Sequence, residues 1–252
     1  MIYRYRTGTE RNRNEPVPNH DTVPFRVPVQ CIPSRPEYYR TGTIPERYRY
    51  NPFRCPALGG GVGGEENIYL LCKKLCDDGL ADPDGSDLFI PLWHQKASQR
   101  AEGVILWDYH VICVQKKRNE NSSSLVWDLD SSLPFPSPLG TYVTDSIRPS
   151  IQIFSEFKRF FRVVHAPIFL RHFASDRRHM KDSAGNWIAE PPSHEAIVAE
   201  DGAVHNLNEY ITVSPDDVVK NVEADTVNVV FSEKLGVVIG EDDLLGFFSL
   251  IS

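Results

Sequence analysis

His110 and Asp128 are the two side chains whose types and placement most readily support chemistry. An imidazole held by a carboxylate keeps one tautomer and accommodates the positive charge it gains on taking a proton. Such a histidine can deprotonate a nucleophile. The same two residues also suit a structural hydrogen bond between neighbouring strands, and pattern alone favours that plainer role. Asp108 shares the strand parity of His110, and Asp130 that of Asp128, so each could add an orienting carboxylate or a substrate contact.

Two strands must position this pair. Residues 103–115 are rich in β-branched and aromatic side chains, residues 124–130 form a second such run, and the polar stretch between them reads as a loop. An antiparallel hairpin with its loop centred near residue 119 sets His110 opposite Asp128. Before the hairpin, residues 65–78 carry Ile68, Leu71, Cys72 and Leu75 at helical spacing, with Glu65 and Glu66 in the first turn, where they suit the helix dipole. Further helices are expected over 151–161, 206–211 and 241–249, with a strand at 161–165. Val227 to Phe231 is a short apolar, β-branched run. Interspersed helices and strands define an α+β fold class.

A nucleophile is still needed. A thiol at the start of the 65–78 helix would be acidified by the unpaired N–H groups there, but Gly64 occupies that place. Cys72 and Cys76 lie four apart with no matching His/Cys pair downstream, so Cys72 reads as core and Cys76 as half-buried. Cys113 faces away from His110 and also reads as core, while Cys55 lies in the N-terminal segment. The polar stretch His172 to Asp182 either lines a pocket or is a solvated loop, and His172 and His179 lack metal-ligand spacing. The Gly59 tract has no following Lys-Ser/Thr, so it is no phosphate loop. No metal and no cofactor are expected.

Composition bounds the remaining possibilities. The 252 residues are 41% hydrophobic and 24% charged, with a net charge of −7, which argues against nucleic-acid binding as the main role. No apolar run approaches the roughly 20 residues of a membrane span. The opening residues lack a signal-peptide core, and five cysteines without framework spacing read as reduced thiols, so a cytoplasmic and nuclear location is expected. Residues 1–64 hold 10 Arg, no Lys and 9 of the 19 prolines, and read as a disordered, basic arm without a core; residues 65–252 form the expected folded domain.

Several strings resemble the protein N-terminal glutamine amidohydrolase family, most closely its plant members: Glu65-Glu66-Asn67-Ile68-Tyr69, Ile90-Pro91-Leu92-Trp93, Trp107-Asp108-Tyr109-His110-Val111, Trp127-Asp128-Leu129-Asp130, Leu133-Pro134-Phe135-Pro136, His172 to Arg177 and His179 to Asp182. The resemblance implies a papain- and transglutaminase-like Cys-His-Asp hydrolase, acting as a monomer. It would convert an N-terminal Gln to Glu with release of ammonia, feeding the N-degron pathway. Carried over residue by residue, the family's histidine is His110 and its aspartate Asp128. Its cysteine precedes Glu-Glu-Asn, where this chain has Gly64. A strand and turn of the family before Ile90 are also missing, a loss expected to leave apolar surface exposed. Both departures fit an alternative or mis-joined splice product; transcript reads across codons 60–92 that match this sequence alone would overturn that explanation. The implied partners are proteins with N-terminal Gln, and the alternative reading is a non-catalytic module that binds such N-termini.

Overall fold

In the computed structural model the described residues are 64–94, 109–117, 123–131, 133–147, 159–188 and 191–251. The first element is the helix α1, Gly64–Asp77. It buries Ile68, Leu71, Cys72 and Leu75, the stripe read from sequence. Gly79, at φ 67°, ends it: Leu80 N–H returns to Leu75 O at 2.9 Å, satisfying a carbonyl of the last turn. The helix opens at Gly64, one residue before the expected start of the folded domain. Residues 1–63 lie outside the described set, Cys55 with them, and so do Asp108 and residues 151–158 of the helix expected over 151–161, whose end is not helical because Phe160 and Phe161 pair in the sheet as a strand.

Seven strands form one sheet. They are β1 Leu88–His94, β2 Tyr109–Val111, β3 Cys113–Gln115, β4 Leu125–Trp127, β5 Ser137–Pro138, β6 Phe160–His165 and β7 Val237–Gly240. The order is β5-β4-β3-β1-β6-β7, with β2 also on β1, and every ladder is antiparallel. Together with the helices this is an α+β fold, as expected. β1 is central. It pairs with β6 from Phe89↔His165 to His94↔Phe160, and with β2 and β3 on its other flank. Strand partners therefore flank Ile90-Pro91 on both edges.

β2 and β3 are one strand interrupted at Ile112, and proline explains the interruption. Ile112 N–H donates to Pro91 O at 3.1 Å, but Pro91 has no N–H to return. The ladder resumes one residue later with no change of register.

Side chains alternate across the sheet into two apolar layers. Leu88, Ile90, Leu92, Val111, Cys113 and Trp127 face α1 and the helices α3, Ala166–His172, and α4, Leu207–Ile211. Phe89, Trp93, Ile112, Val114 and Val126 face the other layer. That layer holds α2, Leu139–Tyr142, with its continuing turn Val143–Ile147, α5, Ala224–Val230, and α6, Leu244–Leu250. The run Val227 to Phe231 is thus helical up to Val230. Glu223 and Thr226 close a capping box at its start, and Val227 and Val230, three apart, fall on the buried side.

Candidate active site

His110 lies on β2 with the parity of Ile112 and Val114, so its ring enters the layer that holds Trp93. Trp93 meets it edge to face at 4.7 Å between ring centroids. Asp128 follows β4 directly. His110 Nε2 and Asp128 Oδ1 stand 3.1 Å apart, and both residues are buried. Tyr142 of α2 donates its hydroxyl to the other carboxylate oxygen at 2.7 Å. The N–H of Asp130 donates to Asp128 Oδ1 at 2.9 Å, closing a tight turn over Leu129. Each oxygen of Asp128 is thus engaged.

The electrostatics follow from these contacts. Burial by itself pushes the Asp128 carboxyl up. The hydrogen bond and charge of His110, then the Tyr142 hydroxyl and the Asp130 N–H, outweigh it and hold Asp128 below the ordinary aspartate value. Burial, then the Asp128 charge, pushes the Tyr142 phenol well above its ordinary value, so Tyr142 stays a donor.

The start of α1 packs on the strand that carries His110, from the other face of the sheet. Tyr109, the neighbour of His110, points to the other face of the sheet and donates its hydroxyl to Glu65 Oε2 at 2.9 Å. Glu65 Oε1 also lies 3.3 Å from His179 Nε2. Glu66 takes Arg177 Nε at 3.0 Å, and His194 Nε2 is 3.4 Å away. Arg177, at φ 62°, further donates to the carbonyls of His194 and Glu195. Glu65 and Glu66 are fully buried, so they anchor the helix rather than merely decorating its positive end. At Gly64, a Cβ built on the backbone meets no described atom within 4 Å. The position immediately before this anchored pair can therefore accept a side chain.

The other expected residues fall as follows. Cys72 and Cys113 are buried core residues whose sulfurs approach to 3.7 Å, and Cys76 is half-buried, its thiol pushed up to about 11 mainly by burial. Asp130 is half open to solvent, with its Oδ2 at 3.9 Å from His110 Nδ1. The His172 to Asp182 stretch divides between its two readings: Ser175 and Arg177 are buried, whereas Arg178 and Lys181 are exposed. Sequence reasoning missed Trp93, Tyr142 and Arg177. Trp93 and Arg177 stand inside strings that carry the family resemblance, though with no role assigned, whereas Tyr142 carried no signal. His110, Asp128 and Asp130 each offer a ligand atom within 4.8 Å of the others, and at Asp128 both carboxylate oxygens already have hydrogen-bond partners.

An α+β protein with a buried imidazole oriented by a carboxylate has a framework suited to general acid–base chemistry. Residues 64–248 match the family model of N-terminal glutamine amidase, and the chain belongs to that family. It is 54% identical over 213 residues to a protein N-terminal glutamine amidohydrolase of Arabidopsis thaliana, covering 81% of this chain and 92% of the relative. To one of Oryza sativa subsp. indica it is 53% identical over 213 residues, covering 80% and 87%. To one of Homo sapiens it is 38% identical over 159 residues, covering 60% and 76%.

Proposed function

We propose that residues 65–252 form a protein N-terminal glutamine amidohydrolase domain of papain- and transglutaminase-like Cys-His-Asp type, and residues 1–64 an arm outside it. Its reaction is hydrolysis of the side-chain carboxamide of an N-terminal Gln, giving Glu and ammonia. The observation that carries the reading is the 3.1 Å contact between His110 Nε2 and Asp128 Oδ1, inside the segment that matches the family. The other ring nitrogen, Nδ1, faces Asp130 Oδ2 at 3.9 Å and is the atom assigned to the reacting groups. In a chain with a thiol at position 64, His110 takes the thiol proton and the thiolate attacks the carboxamide carbon. The imidazolium then returns the proton to the departing ammonia. A thioester remains. Water, deprotonated by His110, opens it to Glu and restores the thiol.

Gly64 supplies no thiol, so this chain holds the acid–base half of the machinery without the nucleophile at its usual place. The test is ammonia release from a peptide with N-terminal Gln, measured for the chain as it stands and for Gly64→Cys. Restoring a nucleophile should raise the rate by about 10³-fold or more. The gain should vanish in a Gly64→Cys/His110→Ala double variant. A folded Gly64→Cys protein that releases no ammonia, or one indifferent to His110→Ala, would sink the proposal.

A further inference from the structure

We propose that Cys72 and Cys113 form a redox-modification site: a two-electron oxidant such as hydrogen peroxide joins them in a disulfide that ties α1 to β3. The two thiols are 41 positions apart in sequence, yet their sulfurs stand 3.7 Å from each other. Both residues are fully buried in one apolar layer, between α1 and the sheet. A disulfide holds its sulfurs about 2.05 Å apart, so rotation about the two Cα–Cβ bonds has to close a gap of about 1.7 Å.

Helix geometry selects the pair. Cys76 lies four residues beyond Cys72 on α1, a spacing that sets Cβ atoms about 5–6 Å apart, whereas a disulfide needs about 3.5–4.5 Å. Cys76 therefore cannot bridge to Cys72 while the helix is intact, and Cys113 is the described thiol that Cys72 meets. The oxidation balances with peroxide alone. One sulfur, as its thiolate, attacks the O–O bond and becomes a sulfenic acid, releasing the first water once a proton is taken up. The second sulfur attacks the first, the S–S bond forms, and the sulfenic oxygen leaves as the second water. Burial pushes the Cys113 thiol well above its ordinary value, so little thiolate forms and the reaction is slow. The same enclosure shields the product from bulky thiol reductants. The crosslink closes a long loop that contains the end of α1 and all of β1 and β2, so it restricts the unfolded chain strongly.

The test needs no turnover. The reduced full chain is exposed to hydrogen peroxide, its remaining thiols are alkylated, and it is digested without reductant for mass spectrometry. The expected product is a pair of peptides joined through Cys72 and Cys113 and lacking two hydrogen atoms. The oxidised protein should melt several degrees above the reduced one, and dithiothreitol should reverse both changes. Cys72→Ala and Cys113→Ala should each abolish the rise, whereas Cys76→Ser should keep it. If the two alanine variants do not fold, the peptide map and the melting shift of the native chain decide the matter alone. Cys72 and Cys113 that stay reduced after prolonged exposure of the folded protein overturn the proposal. So does a crosslink that forms only in denaturant, or one that lowers the melting temperature. A bond from either cysteine to Cys31, Cys55 or Cys76 in place of the expected one overturns the pairing.

Discussion

Tyr142 and His110 grip the same carboxylate from opposite sides: Tyr142 holds Asp128 Oδ2 at 2.7 Å while His110 meets Oδ1 at 3.1 Å. The aspartate that orients the imidazole is therefore itself oriented by a helix of the second layer. Tyr142→Phe removes one hydrogen bond to a buried charged group. It should cost about 1.5–3 kcal/mol of stability, read by urea unfolding. In a Gly64→Cys background it should also lower the rate of ammonia release, though less than Asp128→Asn, for which a drop of about 10³-fold or more is expected. Equal rates for Tyr142→Phe and its parent would separate the tyrosine from the site.

Acid should loosen the same pair. Asp128 titrates below its ordinary value in the folded chain, so its contribution to stability is complete above the unfolded aspartate value, near pH 4, and is lost as pH falls through the lower folded value. The melting-temperature gap between the native chain and Asp128→Asn should narrow steadily below about pH 4. A gap that stays constant from pH 6 to pH 3 would contradict this account.

Arg177 and Glu66 form a buried ion pair, and removing one partner leaves the other charged and enclosed. Glu66→Gln should destabilise the domain by about 3–5 kcal/mol. Because the Arg177 guanidinium also serves the carbonyls of His194 and Glu195, Arg177→Lys should be nearly as harmful. Chemical denaturation of both variants checks this, and a loss below about 1 kcal/mol for either would show that the pair does not anchor α1.

Two glycines should respond in opposite ways. At Gly236 the backbone is left-handed, at φ 58°, and an added Cβ runs into the carbonyl of Val163 on β6. Gly236→Ala should cost several kcal/mol, about 3 or more, since both strain and a backbone shift are involved. Gly64→Ala meets no described atom. It exchanges a poor helix former for a good one and should be neutral or slightly stabilising by urea titration. Similar losses at both positions would count against the open space at Gly64.

Strand parity carried much of this structure in the sequence. It placed His110 and Asp128 on one face and sent Cys113 to the other, where Cys113 packs with α1. The pairing itself differs by two residues from the hairpin first drawn. The ladder joins Cys113 to Trp127 and Val114 to Val126, and a slip of two preserves the face. Extended past its end, this register sets His110 against Asp130 as well as near Asp128, in keeping with the 3.9 Å approach. β1 escaped notice because Pro91 argues against a central strand and because burial on both sides removes the alternation that marks a half-exposed one. Tyr142 and Arg177 were hidden for a different reason: their roles depend on chain segments brought together only by the tertiary fold. The acids Glu65 and Glu66 were seen, but a dipole argument could not tell a solvated first turn from one sealed by Tyr109 and Arg177.

The sealed glutamates at the start of α1 separate two burdens that neighbouring residues usually share. Glu65 and Glu66 carry contacts that fix the helix, whereas a side chain at position 64 would meet no described atom within 4 Å. A change at 64 alters what the site can do while leaving the scaffold's tolerance untouched. On the proposed reading, a side chain gained or lost at that position leaves the anchors of the helix in place.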